Sequence, residues 1–201
     1  MSSSYKYLDP DYTYTDPNSG LLRNLQDITD PDVLLFVESS AVTKRLQEIY
    51  HNPIKINGIE SLFEIHKHLF QDIYAWAGMR RKVEISKEGK QFFPTSYFDN
   101  ALKYIDSLIT DYNKIPKDNK YLIAKKLAEI LDNVNYFHPF REGNGRTQRE
   151  FLRILALTKG LTLNLNPPDN IIVYEKYMKG TIESNIEILT DLIFELIEKD
   201  K

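Results

Sequence analysis

Between Lys120 and Leu157 two strongly apolar helical patterns are interrupted once, by His138-Pro139 and by Gly143-Asn144-Gly145. The first pattern places Leu122, Ile123, Leu127, Ile130, Leu131 and Val134 at helical spacing. Proline disfavours the α conformation in the residue before it, so this helix should end near His138. The second carries Phe151, Leu152, Ile154, Leu155, Ala156 and Leu157 and leaves little polar surface, which predicts a central, buried helix. Residues 138–149 are therefore a short, chemically dense run held at both ends by apolar helices.

The rest of the chain is also mostly helical in pattern. Asp30-Pro31 gives a cap and a first-turn proline for a helix to about Tyr50. Leu62, Phe63, Ile65, Leu69, Phe70 and Ile73 predict a second helix over about 59–75, stopped by Gly78. Further helices are expected over about 95–114, 120–137, 170–178 and 181–199, with Gly160 ending the one after the motif. Val83 and Ile85, then Phe92 and Phe93, flank Ser86-Lys87-Glu88-Gly89-Lys90, the pattern of a β-hairpin within about 80–95. A lone hairpin is marginal in water, so it should lie on the helical body. Residues 1–20, with Tyr5, Tyr7, Tyr12 and Tyr14 among Asp9-Pro10 and Asp16-Pro17, read as an extended, turn-rich arm packed through its tyrosines. The expected organisation is a mainly α single domain over 21–201 with one hairpin and an N-terminal arm over 1–20; 201 residues suffice for such a core.

Composition narrows the function classes. A net charge of −3 provides no general basic field, so direct nucleic-acid binding is not expected and polyphosphate binding must be local. The absence of cysteine excludes disulfides and thiolate metal sites. No apolar run reaches a membrane span and the start lacks a signal-peptide core, which gives a cytoplasmic expectation and no membrane partner.

Within 138–149 the residue types suit a polyphosphate and a proton transfer. Gly143 and Gly145 permit conformations in which successive N–H groups form an anion nest, and Asn144 adds a side-chain donor. The turn feeds a helix N-terminus, which favours phosphate. Arg146 and Arg149 share a helix face and carry guanidinium forks suited to phosphate oxygens. Glu142 offers the single carboxylate with which Mg²⁺ is commonly held beside phosphates and water. His138 can take a proton near neutral pH. Each feature alone has a plain structural reading: a turn, a histidine before proline, a salt-bridged helix face. Their contiguity favours chemistry.

The run His138-Pro139-Phe140-Arg141-Glu142-Gly143-Asn144-Gly145-Arg146-Thr147-Gln148-Arg149 matches every specified position of the Fic (filamentation induced by cAMP) signature, His-Pro-Phe-x-Asp/Glu-Gly-Asn-Gly-Arg-x-x-Arg. Ile65-His66, Leu69-Phe70, Tyr74-Ala75-Trp76-Ala77-Gly78 and Arg81 resemble the family's segment before its flap, and 83–93 resemble the flap itself. Residues 5–38 look like the N-terminal segment of bacterial Fic toxins. The resemblance implies a Fic-type helical bundle and a protein adenylyltransferase that moves AMP from ATP to a Ser, Thr or Tyr hydroxyl of a target protein. It implies His138 as base, Glu142 as Mg²⁺ ligand, Gly143, Asn144 and Gly145 as anion hole, Arg146 and Arg149 on the outer phosphates, and Phe140 as the loop's anchor. The flap would dock the target by strand addition through Val83, Ile85, Lys87 and Phe92. Tyr174, Tyr177 and Met178, on the helix after the motif helix, are candidates for the adenine pocket.

Many Fic proteins carry an inhibitory Ser/Thr-x-x-x-Glu-Gly/Asn helix, and this sequence has no match to it. Resemblance to the toxin class then implies a small antitoxin supplying that glutamate in trans, and type II topoisomerase subunits as the target class. Alternatives are transfer of a phosphate or another nucleotide-derived group, and a non-catalytic adaptor that binds an anion or nucleotide. His66 and His68, two apart on one helix, read as packing or surface residues.

Overall fold

The computed structural model describes residues 5–7, 9–87 and 89–198. Parts of the expected arm (1–4 and 8), the hairpin turn (88) and the last helix (199) lie outside them. In chain order the elements are β1 (Tyr5–Tyr7), α1 (Pro31–His51), α2 (Glu60–Phe70), β2 (Ile85–Lys87), β3 (Lys90–Gln91), a 3₁₀ turn (Thr95–Tyr97), α3 (Phe98–Lys114), α4 (Lys120–Phe137), α5 (Asn144–Thr158), α6 (Ile171–Glu183) and α7 (Ile186–Glu198). Their contacts divide into two units.

One unit comprises the chain up to Ile54, Phe63–Phe98 and His138–Asn144. The Asp30 carboxylate caps α1 by accepting the N–H groups of Asp32 and Val33, with Pro31 in the first turn. Ile65, Leu69, Phe70 and Ile73 are fully buried. Trp76 stacks on Tyr74 at 4.3 Å and meets Tyr14 edge-on at 5.6 Å. The Tyr14 hydroxyl also accepts the Lys82 N–H at 3.0 Å, so one arm tyrosine is built into the core. Tyr12, by contrast, is exposed. The Asp9 carboxylate shapes the arm's turn by accepting the N–H groups of Thr13, Tyr14 and Thr15.

Two expectations need correction in this unit. The second helix stops at Phe70, not near Ala75; beyond it the chain coils in tight turns that keep Ile73, Tyr74 and Trp76 buried. Burial at helix-like spacing therefore extended the apparent helix. The hairpin also carries a third strand: β1 pairs antiparallel with β2 (Tyr5↔Lys87, Lys6↔Ser86, Tyr7↔Ile85), giving the order β1-β2-β3. Pairing satisfies backbone groups that β2 would otherwise leave at an edge. Three residues of Tyr-Lys-Tyr are too short a run for periodicity to announce.

The other unit comprises Lys55–Leu62, Asp99–Phe137 and the chain from Gly145 onward. In it α4 packs against α7 and α6, and Ile123, Leu127, Ile130, Leu131, Phe151 and Leu152 are buried. The Tyr112 hydroxyl donates to the Leu155 carbonyl at 2.7 Å, so burial of the phenol is satisfied and pushes its pKa up. The expected break between the last two helices falls later than Met178. Gly180 lies inside α6, where a Cβ would meet Leu189 Cδ2 at 2.5 Å; it permits close packing with α7. Ser184, in the left-handed conformation, ends the helix instead.

Candidate active site

The first six residues of the motif, 138–143, form a loop whose backbone is fixed by Asn144 at the start of α5. Asn144 closes it: its side-chain oxygen accepts the Phe140 N–H at 3.0 Å and its amide donates to the Phe140 carbonyl at 2.8 Å. The side chain offered by the sequence as an extra anion donor is thus bonded within the loop. Phe140 is buried and packs edge-on to Phe63 at 5.2 Å, an anchor like that implied by the resemblance. Gly143 has φ 81°, and a Cβ there would lie 2.3 Å from the Phe70 ring, so both conformation and space demand glycine.

His66 is a site residue that its sequence reading missed. It is fully buried, stacks on Phe140 at 3.7 Å and bridges two backbones. Nδ1 accepts the Gly78 N–H at 2.8 Å, which leaves Nε2 to donate to the Glu142 carbonyl at 3.0 Å. Its position two residues from His68 excluded a shared metal but gave no sign of this bridge; only its place among the apolar residues of α2 hinted at burial.

Glu142 is half-buried, and its Oε1 accepts the Gly143 N–H at 2.9 Å. Among the described residues no group of three or more His, Cys, Asp or Glu side chains gathers to hold a metal. One reachable carboxylate fits a cation that takes its other ligands from phosphates and water. His138 is buried at the loop's start, has φ 44°, and stacks on Phe92 with centroids 3.7 Å apart.

The flap residues differ in placement. Val83 and Ile85 are buried, while Lys87 and Phe92 are half-buried. The Phe92 N–H donates to the Ile85 carbonyl, continuing the β2–β3 pairing. Because β1 covers one side of β2, β3 forms the sheet's other edge.

The remaining motif residues belong to α5. Gly145, Arg146 and Arg149 are half-buried, and a Cβ on Gly145 would meet Arg149 Nη1 at 3.3 Å. The Arg149 guanidinium lies 5.8 Å from the Tyr174 ring centre and 5.6 Å from that of Tyr177. Tyr177 is buried and its hydroxyl accepts the Gln148 amide; burial pushes its pKa up and keeps it a neutral phenol beside the arginine. Tyr174 and Met178 are half-buried. Among the described residues no carboxylate forms an ion pair with Arg149. The first-turn N–H groups of α5 add the positive end of a helix dipole.

A helical protein with a flap and a His-Pro-Phe loop leading into a helix N-terminus belongs to a definable class. Residues 56–156 match the Fic/DOC family, and the chain belongs to that family. It is 30% identical over 94% of its length to protein adenylyltransferase VbhT of Bartonella schoenbuchensis, and covers 39% of that protein. It is also 30% identical over 74% of its length to y4lH of Sinorhizobium fredii, named a probable protein adenylyltransferase, of which it covers 77%. Among solved structures, the N-terminal Fic domain of a VirB-translocated Bep effector of Bartonella quintana, with bound ADP, superposes with a TM-score of 0.80 at 25% identity, covering 92% of this chain and 94% of that one. BepC of Bartonella tribocorum, solved with AMPPNP, shares the fold with a TM-score of 0.79 at 23% identity, covering 92% and 96%.

Proposed function

We propose that this chain is a nucleotidyltransferase that moves AMP from ATP to a hydroxyl of a target protein. The observation that carries this reading is the intact 138–149 run, with its loop fixed by buried contacts and its arginines on the helix that follows. The names of the relatives support it. The target hydroxyl oxygen attacks the α-phosphorus, an O–P bond forms, the bond to the bridging oxygen breaks, and pyrophosphate leaves. His138 takes the hydroxyl proton. The N–H groups at the start of α5 are the donors for developing phosphate charge, the Gly143 N–H donating instead to Glu142, and Arg146 and Arg149 hold the outer phosphates. Glu142 would hold Mg²⁺ together with phosphate oxygens, and the ion would supply charge neutralisation. Tyr174 and Met178 present surface to the adenine, and buried Tyr177 acts beneath them by supporting Arg149. The Fic domain extends over 21–201 with the arm over 1–20, in this reading.

The flap docks an extended target segment by strand addition. Since Val83 and Ile85 are buried and β2 is paired on both sides, the backbone of β3 and the nearby Phe92 and Lys87 are the groups left for that contact. Arg149 rests against tyrosines rather than a glutamate. That arrangement favours an inhibitor in trans, an antitoxin chain that delivers a glutamate, and a toxin role. A type II topoisomerase subunit is the target class that family likeness suggests, and the cytoplasm the compartment. Among the described residues no helix is long and apolar enough to cross a membrane.

The test is incubation of the purified chain with Mg²⁺ and α- or γ-labelled ATP in a bacterial lysate, beside His138→Ala. Protein labelled only from the α position, and unlabelled with the variant, is the expected result. Label from γ would mean phosphate transfer. Nucleotide binding with no label from either would favour the adaptor.

A further inference from the structure

Arg81 lies far from the motif in sequence, yet its side chain is wholly buried and reaches three backbone carbonyls. Nε donates to His138 O at 2.9 Å, Nη1 to Val83 O at 2.7 Å and Nη2 to Phe93 O at 2.5 Å. Its own N–H donates to Pro139 O at 2.7 Å. Val83 precedes β2 and Phe93 follows β3, so one planar group joins both bases of the flap to the carbonyl of His138. The guanidinium also lies 4.9 Å from the Phe98 ring centre and meets Glu84 Oε2 at 3.2 Å. Glu84 in turn accepts from the Thr95 N–H and hydroxyl. Burial alone would raise the Glu84 pKa, but these bonds from Thr95 and Arg81 hold it below the usual carboxylate range, so the counter-charge is present.

His138 needs such support. Its φ of 44° is unusual for a residue with a Cβ, and conformations of that kind persist only where the surroundings over-determine them. Its constraints include the Arg81 bond to its carbonyl and the Phe92 ring against its imidazole, the planes 16° apart. Phe92 is adjacent to Phe93, whose carbonyl Arg81 also holds.

We infer that Arg81 is a positioning residue: its guanidinium fixes the His138 backbone and registers the imidazole with the flap. A segment docked on the flap then meets the base in one geometry. This role rests on the AMP-transfer reading, whereas the placement of His138 does not. A lysine cannot reproduce it, because an ammonium lacks the flat fork that addresses three carbonyls at once.

The experiment combines histidine-selective NMR with AMP-transfer kinetics on wild type, Arg81→Lys and Glu84→Gln, with His138→Ala to assign the His138 signal. Phe92 should displace the wild-type His138 ring protons upfield. Arg81→Lys should lose that displacement and lower kcat about 100-fold, with KM for ATP within about twofold of wild type. Glu84→Gln should shift both in the same direction by less. A wild-type His138 signal in Arg81→Lys overturns the inference, as does a displaced signal with full kcat. A rise in KM for ATP as large as the fall in kcat also overturns it. If Arg81→Lys does not fold, an unmoved His138 signal in Glu84→Gln overturns it and a moved one supports it. If wild type transfers no AMP, the activity reading fails, and the NMR displacement still decides whether Arg81 places His138.

Discussion

The 138–143 loop and the flap each turn on a glycine in the left-handed region, and their surroundings differ sharply. Gly143 faces the Phe70 ring, with no room for a methyl group, while among the described residues nothing lies within 4 Å of a Cβ added at Gly89. The loop is bonded internally through Asn144 and from behind through His66. The flap's paired strands are short, and β3 is exposed. Chemistry needs reacting groups held to a fraction of an ångström, which a packed interior supplies. Docking an extended segment needs backbone groups at an accessible edge, which packing would remove.

The largest effect should come from Gly143→Ala, which adds both a strained φ and a collision with Phe70; we expect a loss of about 3 kcal/mol or more and no detectable transfer. Melting curves and labelling check this, and a variant with near wild-type stability would show that the loop is less rigid than the contacts imply. Next is Asn144→Ala, which leaves the buried Phe140 N–H and carbonyl without their partners. It should cost about 2–3 kcal/mol and lower kcat more than the affinity for ATP. Gly89→Ala meets only the conformational penalty, so about 1 kcal/mol is expected, and transfer to target should persist. Equal damage from Gly89→Ala and Gly143→Ala would erase the contrast between the two regions.

The smallest effect concerns acid stability. The Arg45 guanidinium donates to both Asp72 oxygens, at 2.7 and 2.8 Å, and holds that carboxyl below its usual pKa. A lowered folded pKa means a contribution present above the unfolded value, about 3.9, and lost as pH falls through the folded one. Asp72→Asn should therefore flatten the acid limb of the stability profile below about pH 4. At neutral pH it should cost at most about 1 kcal/mol, since the pair is partly exposed. Urea titrations from pH 2 to 7 measure both.

The sequence was most legible where periodicity was long and punctuation strong. The α4 pattern ended at Phe137 as Pro139 required, and Asp30-Pro31 opened α1. Local pattern misled where burial imitated a helix after Phe70, and where the break expected between Met178 and Thr181 fell inside α6, whose Gly180 packs close to α7. The third strand was missed because three residues carry too little pattern.

By itself the sequence determined a mainly helical chain with a hairpin, which is written in local spacing, and the order and identity of the residues in the 138–149 run, which carry the likeness to the Fic family. Only the tertiary structure decided that Asn144 bonds within the loop, that His66 supports Glu142 from behind, and that Arg81 joins the flap to His138. Those bonds connect residues up to 76 positions apart, and no local propensity encodes which buried donor will meet which distant carbonyl.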